Sequence, residues 1–300
     1  MNFRQLECFI AIVDEGSFTR AARQVGIAQP SLSQHIKALE DELNGRLFDR
    51  LPRGVSLTPA GRALLPEARL AVRAFERGRQ GARSALAVEL GELEIATVLS
   101  MAVGVLPAHI GVWHERHPNV AIRIHEFRHR NLLEDAVEQG VADFAVGPRP
   151  LRRWDGPLET VAWEEFVLVV AGSDPLAAQD DVELGELSER EWVLYHPDHG
   201  LAGIVDDICR SAGFRPRGTV RTSQAEGAVR LAAVGVGIAL VPDNIVSPGI
   251  DCAVLRFRPR LIRDVAVYAR GDWSPTAAAF VDVLRSNPRE RPSGAVSIEL

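Results

Sequence analysis

Long apolar runs are missing from this chain of 300 residues. No stretch approaches the roughly 18–20 consecutive apolar residues that a helix needs to span a bilayer. The N-terminus also lacks a basic segment followed by an apolar stretch and a cleavage site, which is the pattern of a secretory signal. We therefore expect a cytoplasmic protein that makes no use of a membrane.

Cysteine is scarce and widely spaced. Cys8, Cys209 and Cys252 are odd in number, and no CxxC pair is present. This pattern argues against a disulfide framework and against a thiolate metal site. We expect Cys8 and Cys209 to be ordinary buried thiols.

The motifs of common enzymes are also missing. There is no GxSxG or HExxH, and the GVG at residues 235–237 is too short for a phosphate loop. His114 and His117 on a helix, and His125 and His129 across a strand end, have a spacing that a metal ion tolerates, but no third ligand stands nearby. The sequence therefore predicts no enzyme, no metal site and no cofactor.

Positive charge is short overall and unevenly distributed. The net charge is −6, yet residues 1–90 hold 13 basic against 10 acidic side chains, and residues 91–300 hold 21 against 30. Within residues 1–58 the two signs balance at seven each. Because phosphate binding scales with the number of basic groups presented, any binding of nucleic-acid phosphates by the N-terminal part would require more than one copy of the chain.

Residues 17–50 contain the pattern of a helix-turn-helix. Apolar residues recur at i, i+3, i+4 and i+7 in a first helix, with Ser17 placed as its N-cap and Gly26 as its stop. The inward residues of the two helices are Phe18, Ala21, Ala22 and Val25, then Leu32, Ile36, Leu39 and Leu43. A preceding helix carries the same spacing at Leu6, Phe9, Ile10 and Val13. Three helices can therefore enclose one core.

The outer face of the second helix carries hydrogen-bonding side chains that can read base edges in a major groove. After it, two short apolar segments flank Arg50, Arg53 and Gly54, which predicts a β wing that presents cations to DNA. The candidate DNA-contacting residues are Ser17, Thr19, Gln29, Pro30, Ser31, Ser33, Gln34, Lys37, Arg50 and Arg53. The alternative is an ordinary helical hairpin with a polar outer face.

Residues 59–90 are predicted to form a long helix. Thr58 can cap it and Pro59 can occupy its first position, while Pro66 and Gly78 can bend or weaken it. Its apolar side, which includes Leu64, Ala68, Ala71, Val72, Phe75, Ala82 and Leu86, needs a partner. We interpret it as a dimerisation helix, with a solvated linker as the alternative.

From Gly91 onward, strand and helix patterns alternate, which calls for a mostly parallel sheet. Predicted strands are GELEIATVL, NVAIRIHEF, ADFAVG, FVLVVAG, EWVLYH, TVRTS and GIALVP. Predicted helices cover Met101–His117, Leu132–Gln139, Ala202–Ala212, Glu226–Val234 and Thr276–Arg285. Two α/β lobes follow from this order, with crossings near Thr160–Ser173 and Leu261–Gly271.

The first 65 or so residues resemble the DNA-binding domain of the LysR-type transcriptional regulators. The resemblance rests on LECFIAIVDEGSFTRAA, QPSLSQHIKALEDELNGRLFDR and SLTPAGRALL, in the family's order and spacing. Two departures are local: Ala28 stands where members often have a capping serine or threonine, and Asn44-Gly45 replaces a turn that begins with glycine.

Residues 91–300 are similar to the effector domain of the same family, which itself resembles periplasmic substrate-binding proteins with a ligand cleft between two lobes. GELEIATVLSMAVGVLPAHIGVWHERHPNV and VRLAAVGVGIALVPD carry this resemblance. The expected fold class is therefore α + α/β. Its expected parts are a winged helix-turn-helix over 1–58, a linker or dimerisation helix over 59–90, and an effector-binding domain over 91–300. Within the last, lobe I covers about 91–160 and 270–286, lobe II about 161–269, and 287–300 is a flexible tail.

The resemblance implies that an inducer contacts the end of the first strand of this domain, at Ser100 and Met101. A hydroxyl and free N–H groups at a helix N-terminus can bind a carboxylate. Further candidates follow from topology, since ligands sit outside the carboxyl ends of strands: Arg128, Pro148, Arg149, Asp198, His199, Gly200, Thr222 and Ser223. Each arginine also fits an ordinary surface position, and Thr222 and Ser223 also fit a turn.

As the resemblance implies, the chain is a transcriptional regulator that acts as a dimer or tetramer. The second helix of its helix-turn-helix enters the major groove, and paired copies of the chain bind an interrupted inverted repeat on double-stranded DNA. A small anionic effector, a carboxylate, changes the angle between the lobes and the bending of the promoter, with RNA polymerase as a further partner. The alternatives are a solute-binding protein with an N-terminal assembly module and a DNA-binding protein without an inducer.

Overall fold

The computed structural model describes residues 1–50, 55–85, 91–286 and 291–298. It divides into two compact units. The first contains residues 1–90 and 138–141, and the second contains residues 91–137 and 142–300. Within the described residues, no helix combines the length and the hydropathy that crossing a membrane requires.

The first unit is a winged helix-turn-helix followed by a long helix, as predicted. Its elements in chain order are α1 Phe3–Glu15, α2 Phe18–Val25, α3 Gln29–Glu42, β1 Phe48–Arg50, β2 Val55–Leu57 and α4 Pro59–Ala85. The wing strands β1 and β2 pair antiparallel, with Phe48 opposite Leu57. Side chains from all three short helices and the wing share one core that includes Phe9, Ile12, Ala21, Leu32, Ile36, Leu39 and Phe48.

The helix ends follow the turn chemistry of the sequence. The Ser17 hydroxyl accepts a hydrogen bond from the Arg20 amide at 3.5 Å, and Gly26 ends α2 with φ at +71°. Helix α3 begins after Ala28 without a side-chain cap, with Pro30 in its first turn. Asn44 takes a left-handed conformation with φ at +51°, which its side chain tolerates better than most.

Helix α4 runs through Pro66 without ending there. Thr58 caps it, since the Gly61 amide donates to the Thr58 hydroxyl at 3.1 Å. Arg69 of α4 forms an ion pair with Asp14 of α1 at 2.5 Å, which ties the long helix to the helix-turn-helix. Farther along, Phe75 is 54% exposed and its ring lies 4.4 Å from that of Phe3. Among the described side chains of α4, the apolar side is thus left partly exposed at Phe75.

Gly61 and Gly78 offer a matched test of how α4 packs on the wing. A Cβ at Gly61 would lie 2.3 Å from the Leu47 carbonyl oxygen, whereas a Cβ at Gly78 would meet nothing within 4 Å. We expect Gly61→Ala to destabilise the first unit by about 1–3 kcal/mol through this clash. We expect Gly78→Ala to stabilise the helix by about 0.5–1 kcal/mol. Hydrogen exchange of peptides from residues 1–85 measures both; equal effects would contradict the packing of α4 against Leu47.

The second unit contains the remaining helices and strands. Its helices are α5 Leu99–Gly104, α6 Leu106–Arg116, α7 Arg130–Glu138, α8 Gly200–Ser211, α9 Ala225–Ala233 and α10 Pro275–Arg285. Its strands are β3 Gly91–Val98, β4 Val120–Phe127, β5 Phe144–Pro148, β6 Leu158–Ala171, β7 Asp181–Val182, β8 Glu191–Tyr195, β9 Arg217–Thr222, β10 Ala239–Pro242, β11 Cys252–Tyr268 and β12 Val296–Ser297.

Two long strands connect two lobes, each with its own core. The main strand order is β10-β6-β11-β5-β3-β4, and β8 pairs with β9 in a separate small sheet. One core, here called the lobe I core, gathers residues such as Ile95, Phe144 and Phe280, and the lobe II core gathers residues such as Phe166 and Trp192. Strands β6 and β11 contribute side chains to both, so the predicted crossings are confirmed.

The expectation of a mostly parallel sheet is only half right. Strands β3, β4 and β5 pair parallel, as do β8 and β9. Strands β6 and β11, however, run antiparallel to each other, and β11 also runs antiparallel to β5. The reason is that each crossing strand must return the chain directly from one lobe to the other.

Two local predictions are corrected by the structure. The helix expected over Met101–His117 is broken at Val105 into α5 and α6, because Pro107 cannot donate a backbone hydrogen bond. Of the tail expected to be flexible over 287–300, the structure describes residues 291–298, and these include β12, which pairs parallel with β11. Ile298 is buried in the lobe II core, so burial of one apolar side chain holds residues 296–298 against β11.

The cysteine prediction is confirmed, since Cys8 and Cys209 are buried thiols and Cys252 is half-buried. Burial raises the pKa of Cys209 to about 12, which keeps it protonated and unreactive. Among the described residues, no three histidine, cysteine or acidic side chains converge on a point that would hold a metal ion. His117 instead stacks on Trp113, with ring centres 4.0 Å apart.

Candidate functional site

A partly open cavity lies between the two lobes of the second unit, with about 350 Å³ of space when the open solvent at its mouth is included. The carboxyl ends of parallel strands β3, β4 and β5 supply one wall, as topology requires, and the start of α8 with a residue of β11 supplies the other. The lining residues are Val98, Leu99, Ser100, Arg128, Arg130, Pro148, His199, Gly200, Leu201, Ile204 and Arg263. The lining arginines and the Ser100 hydroxyl therefore lie close to apolar side chains such as Leu201 and Ile204 in this cavity.

The lobes touch each other at the rim of this cavity. The Gly200 amide at the start of α8 donates a hydrogen bond to the Arg128 carbonyl after β4, at 2.7 Å. A Cβ on residue 200 would lie 2.8 Å from that same carbonyl oxygen, so the close approach requires glycine. This contact spans the cleft and places Arg128 and His199 side by side.

Arg128 is the cation best placed to receive a ligand. Its side chain is exposed and lines the cavity, and no described side chain forms an ion pair or hydrogen bond with its guanidinium. A guanidinium presents a planar fork of donors that matches a carboxylate. Arg149, by contrast, donates to the Thr160 hydroxyl at 3.3 Å and does not line the cavity.

Arg263 lies in the wall of the cavity within a buried polar network. Its Nε donates to Glu164 Oε1 at 2.6 Å, and its Nη2 donates to the Ser100 hydroxyl at 3.3 Å. The side chains of Arg263 and Glu164 are only 5% and 1% exposed. Asn244 donates to the other carboxylate oxygen of Glu164 at 3.2 Å. Glu164 thus neutralises the charge of Arg263, and Nη2 of Arg263 fixes the position of the Ser100 hydroxyl at the cavity.

His199 combines two roles at the start of α8. Its Nδ1 accepts a hydrogen bond from the Leu201 amide at 3.1 Å, which makes it the N-cap of the helix. Its ring stacks on Tyr195, with centres 4.8 Å apart and planes 17° apart. Burial, together with the nearby charges of His129, Arg263 and Arg128, lowers the pKa of His199 to about 4. The imidazole is therefore neutral near pH 7.

Half of the ligand-contacting residues predicted from the sequence meet at the cavity. Ser100, Arg128, Pro148, His199 and Gly200 line it. The other predicted residues, Met101, Arg149, Asp198, Thr222 and Ser223, lie outside the lining.

The structure gives a local cause for three of these exclusions. Met101 points into the lobe I core because α5 begins at Leu99 and turns that side chain inward. Asp198 is exposed beside His196, with 3.5 Å between Asp198 Oδ2 and His196 Nδ1. The Thr222 hydroxyl accepts from the Gln224 amide at 3.2 Å, which is the turn role that its position also suggested.

Sequence reasoning missed Arg130 and Arg263. Arg130 opens α7 two residues after Arg128, so the same strand end could have flagged it. For Arg263, the only signal in the sequence was its acidic partner, Glu164. The pair Glu164-Glu165 directly precedes the apolar run FVLVVA in a predicted crossing strand, and buried carboxylates require cationic partners.

The DNA-facing candidates lie together along the outer side of α3. Gln29, Pro30, Gln34 and Lys37 are exposed, while Ser31 and Ser33 are half-buried. The side-chain amide of Gln29 donates to the Ser33 hydroxyl at 2.9 Å, which links two of these side chains on adjacent turns of the helix. Opposite them, Leu32, Ile36 and Leu39 are buried in the core of the unit, whereas Leu43, which was also predicted to face inward, is 44% exposed.

The remaining DNA-facing candidates frame this helix. Ser17 caps α2 and Thr19 is exposed in its first turn. Arg50 ends β1, whereas the side chain of Arg50 and all of Arg53 lie outside the described residues. Glu40, which sequence reasoning missed, accepts from the Leu47 amide at 2.7 Å and so fixes the wing against the end of α3.

A winged helix-turn-helix with a polar recognition helix, joined in one chain to a two-lobed domain with a cationic cleft, defines a DNA-binding transcriptional regulator with an effector-binding domain. The model of the lysR family of bacterial regulatory helix-turn-helix proteins matches residues 3–62, and that of the LysR substrate binding domain matches residues 87–289. The chain belongs to the LysR family of transcriptional regulators, which are not enzymes.

Individual relatives agree with this assignment. The transcriptional regulator TfdS of Cupriavidus pinatubonensis is 29% identical over 294 residues, covering 95% of this chain and 98% of that protein. ShiR of Corynebacterium glutamicum is 34% identical over 247 residues, covering 80% of this chain and 82% of that protein. The chain thus covers more than four fifths of the length of each of these two relatives.

Solved structures share the fold over the same length. A full-length OxyR variant of Pseudomonas aeruginosa matches with a TM-score of 0.76 and 24% identity, covering 95% of both chains. The regulator CbnR matches with a TM-score of 0.65 and 25% identity, covering 95% of this chain and 98% of that one. A structure of full-length CbnR with its target DNA matches with the same TM-score at 24% identity, covering 95% and 99%.

Proposed function

We propose that this regulator works in the cytoplasm and binds an interrupted inverted repeat as a dimer or tetramer. In this proposal a small carboxylate in the cleft between the lobes changes promoter activity. The guanidinium of Arg128 carries the proposal, because it lines the cavity with no ion-pair partner among the described side chains and presents a fork of donors that matches a carboxylate. Contact with RNA polymerase at the promoter belongs to the same proposal.

The oligomer is supported by charge and by helix α4. Residues 1–58 carry equal numbers of basic and acidic side chains, so one copy presents few cations to the phosphates. Phe75 leaves an aromatic ring 54% exposed on α4, which is an apolar surface that a second copy can bury. Two recognition helices related by a two-fold axis favour two half-sites about one or more helical turns apart.

For the ligand to act as an inducer, it must bind one arrangement of the protein more tightly than another. The hydrogen bond between Gly200 and Arg128 joins the lobes at the ligand pocket itself. A carboxylate on Arg128 therefore acts where the two lobes meet. A change of lobe angle then reaches the promoter as a change of DNA bending.

The DNA part of the proposal is tested with substitutions on α3. We expect Ser33→Ala and Gln34→Ala each to cost about 1–3 kcal/mol of discrimination between operator and random DNA, because each removes a group positioned to read base edges. We expect Lys37→Ala to weaken binding to both DNAs and to reduce the salt slope by about 1. Fluorescence anisotropy over a salt series, with DNA from the flank of the encoding gene and a random duplex, measures both quantities.

The control for these substitutions is Ala38→Ser, at an exposed position on the same helix. It should leave affinity and discrimination within twofold of the parent chain. Unchanged discrimination in both Ser33→Ala and Gln34→Ala would remove α3 from base recognition. Selective DNA binding that no carboxylate alters would favour the regulator without an inducer, and loss of all preference would favour the assembly-module alternative.

A further inference from the structure

We propose that the ligand of the cleft carries an uncharged oxygen acceptor beside its carboxylate, an oxo or hydroxyl group, which receives a hydrogen bond from Nε2 of His199. The inference rests on the proposed function, since it deepens the ligand class of the same cavity. It assigns two recognition groups to two side chains: the carboxylate to Arg128 and the neutral oxygen to His199.

The tautomer of His199 follows from its hydrogen bonding. Nδ1 accepts from the Leu201 amide at 3.1 Å, so the ring proton of the neutral imidazole is on Nε2. His199 is 4% exposed and lines the cavity, and its buried Nε2 has no hydrogen-bond partner among the described residues. A buried N–H donor without a partner is costly, and a ligand oxygen relieves that cost.

The surroundings of His199 make it a neutral donor rather than a second cation. Arg128 and His129 face it from lobe I and Arg263 faces it from β11, and with burial they keep its pKa at about 4. Arg263 is already paired with Glu164, whereas Arg128 has no described side-chain partner. The charge of an anion is therefore best matched at Arg128, and His199 is left to an oxygen that bears no full charge.

The ring is held in place, so it cannot turn away when a ligand lacks the acceptor. It stacks on Tyr195, whose hydroxyl donates to the Leu240 carbonyl at 3.1 Å. The next residue, Gly200, is fixed to Arg128 across the cleft. A ligand without the second oxygen thus leaves the Nε2 donor buried and unpaired, which is how a hydrogen-bonding site rejects an analogue.

The test is calorimetric titration of the full-length protein with acids that differ by one oxygen. The matched sets are propionate with lactate and pyruvate, and benzoate with salicylate. We expect at least one oxygen-bearing acid to bind about tenfold or more tightly than its plain partner, as the gain of one buried hydrogen bond implies. Plain and oxygen-bearing acids that bind equally well would overturn the inference and leave the cleft as a simple carboxylate site.

Two substitutions separate ligand recognition from helix capping. His199→Asn keeps a good N-cap but has no group at the position of Nε2; we expect it to lose the tenfold preference and keep the affinity for the plain acid. His199→Gln places an amide N–H near Nε2; we expect it to keep the preference. If His199 served only to cap α8, we would expect the reverse pattern. His199→Asn would then leave ligand binding unchanged, and His199→Gln would weaken it.

The outcomes for the two proposals are distinct. Binding of none of the acids refutes the carboxylate ligand, and this inference with it, while selective DNA binding is unaffected. Binding without preference refutes only the role of His199. The comparison of acids on the parent protein decides the inference even where both substitutions prevent folding, which a thermal melt of each variant reveals.

Discussion

Glu164→Gln is expected to destabilise the second unit by about 3–5 kcal/mol, because it leaves the charge of Arg263 buried without a counter-ion. Both side chains are almost fully buried, and their hydrogen bond joins strands β6 and β11 at the crossing between the lobes. All five tryptophans lie within residues 91–300. Denaturant unfolding of the full chain, followed by tryptophan fluorescence, therefore reports on this unit alone.

Glu159 on the same strand provides the matched control. It forms an ion pair with Arg285, but the two side chains are 38% and 45% exposed. Solvent screens such a pair, so Glu159→Gln should cost less than about 1 kcal/mol. A double substitution, Glu164→Leu with Arg263→Met, should recover most of the loss, since it removes both buried charges. A cost for Glu164→Gln as small as that for Glu159→Gln would show that Arg263 does not depend on this carboxylate.

Arg128→Gln is expected to weaken binding of a carboxylate effector by about tenfold to a hundredfold. The substitution removes a charge-assisted hydrogen bond, which contributes about 1.5–3 kcal/mol. Titration of the tightest-binding acid among propionate, lactate, pyruvate, benzoate and salicylate into the full-length variant measures the change. The unfolding midpoint should hardly change, because the Arg128 side chain has no described ion pair to lose.

Arg149→Gln is the control for this experiment. Arg149 also follows a strand of lobe I, but its side chain donates to Thr160 and lies outside the cavity lining. We expect the affinity of Arg149→Gln to stay within twofold of the parent. Equal losses in the two variants would mean that general positive charge, rather than contact with Arg128, attracts the ligand.

The first unit is predictable because its signals are local. Ser17, Gly26 and Thr58 act at helix ends through their own side chains or backbone, and the structure confirms each of these roles. The apolar spacing of the three helices also decides which side faces the core. Only the detailed contacts of the wing, such as Glu40 with the Leu47 amide, needed the folded chain.

The sequence predicted where the cleft lies but not which side chains line it. Strand ends point to Ser100, Arg128 and Pro148, since ligands gather outside the carboxyl ends of parallel strands. The same rule also selected Arg149 and Thr222, which the structure assigns to local hydrogen bonds instead. A strand end names candidates, but rotation about each side chain decides which of them face the cavity.

Local sequence determines this protein's helices, its caps, its division into an N-terminal DNA-facing part and an α/β part, and its family, because each of these depends on residues a few positions apart. The tertiary structure decides what depends on distant partners. Glu164 and Arg263 are 99 positions apart and meet only because β6 and β11 pair. Residues 296–298 are held by burial of Ile298, and Gly200 meets Arg128 because two lobes close on each other. Such contacts are set by packing, which no short stretch of sequence encodes.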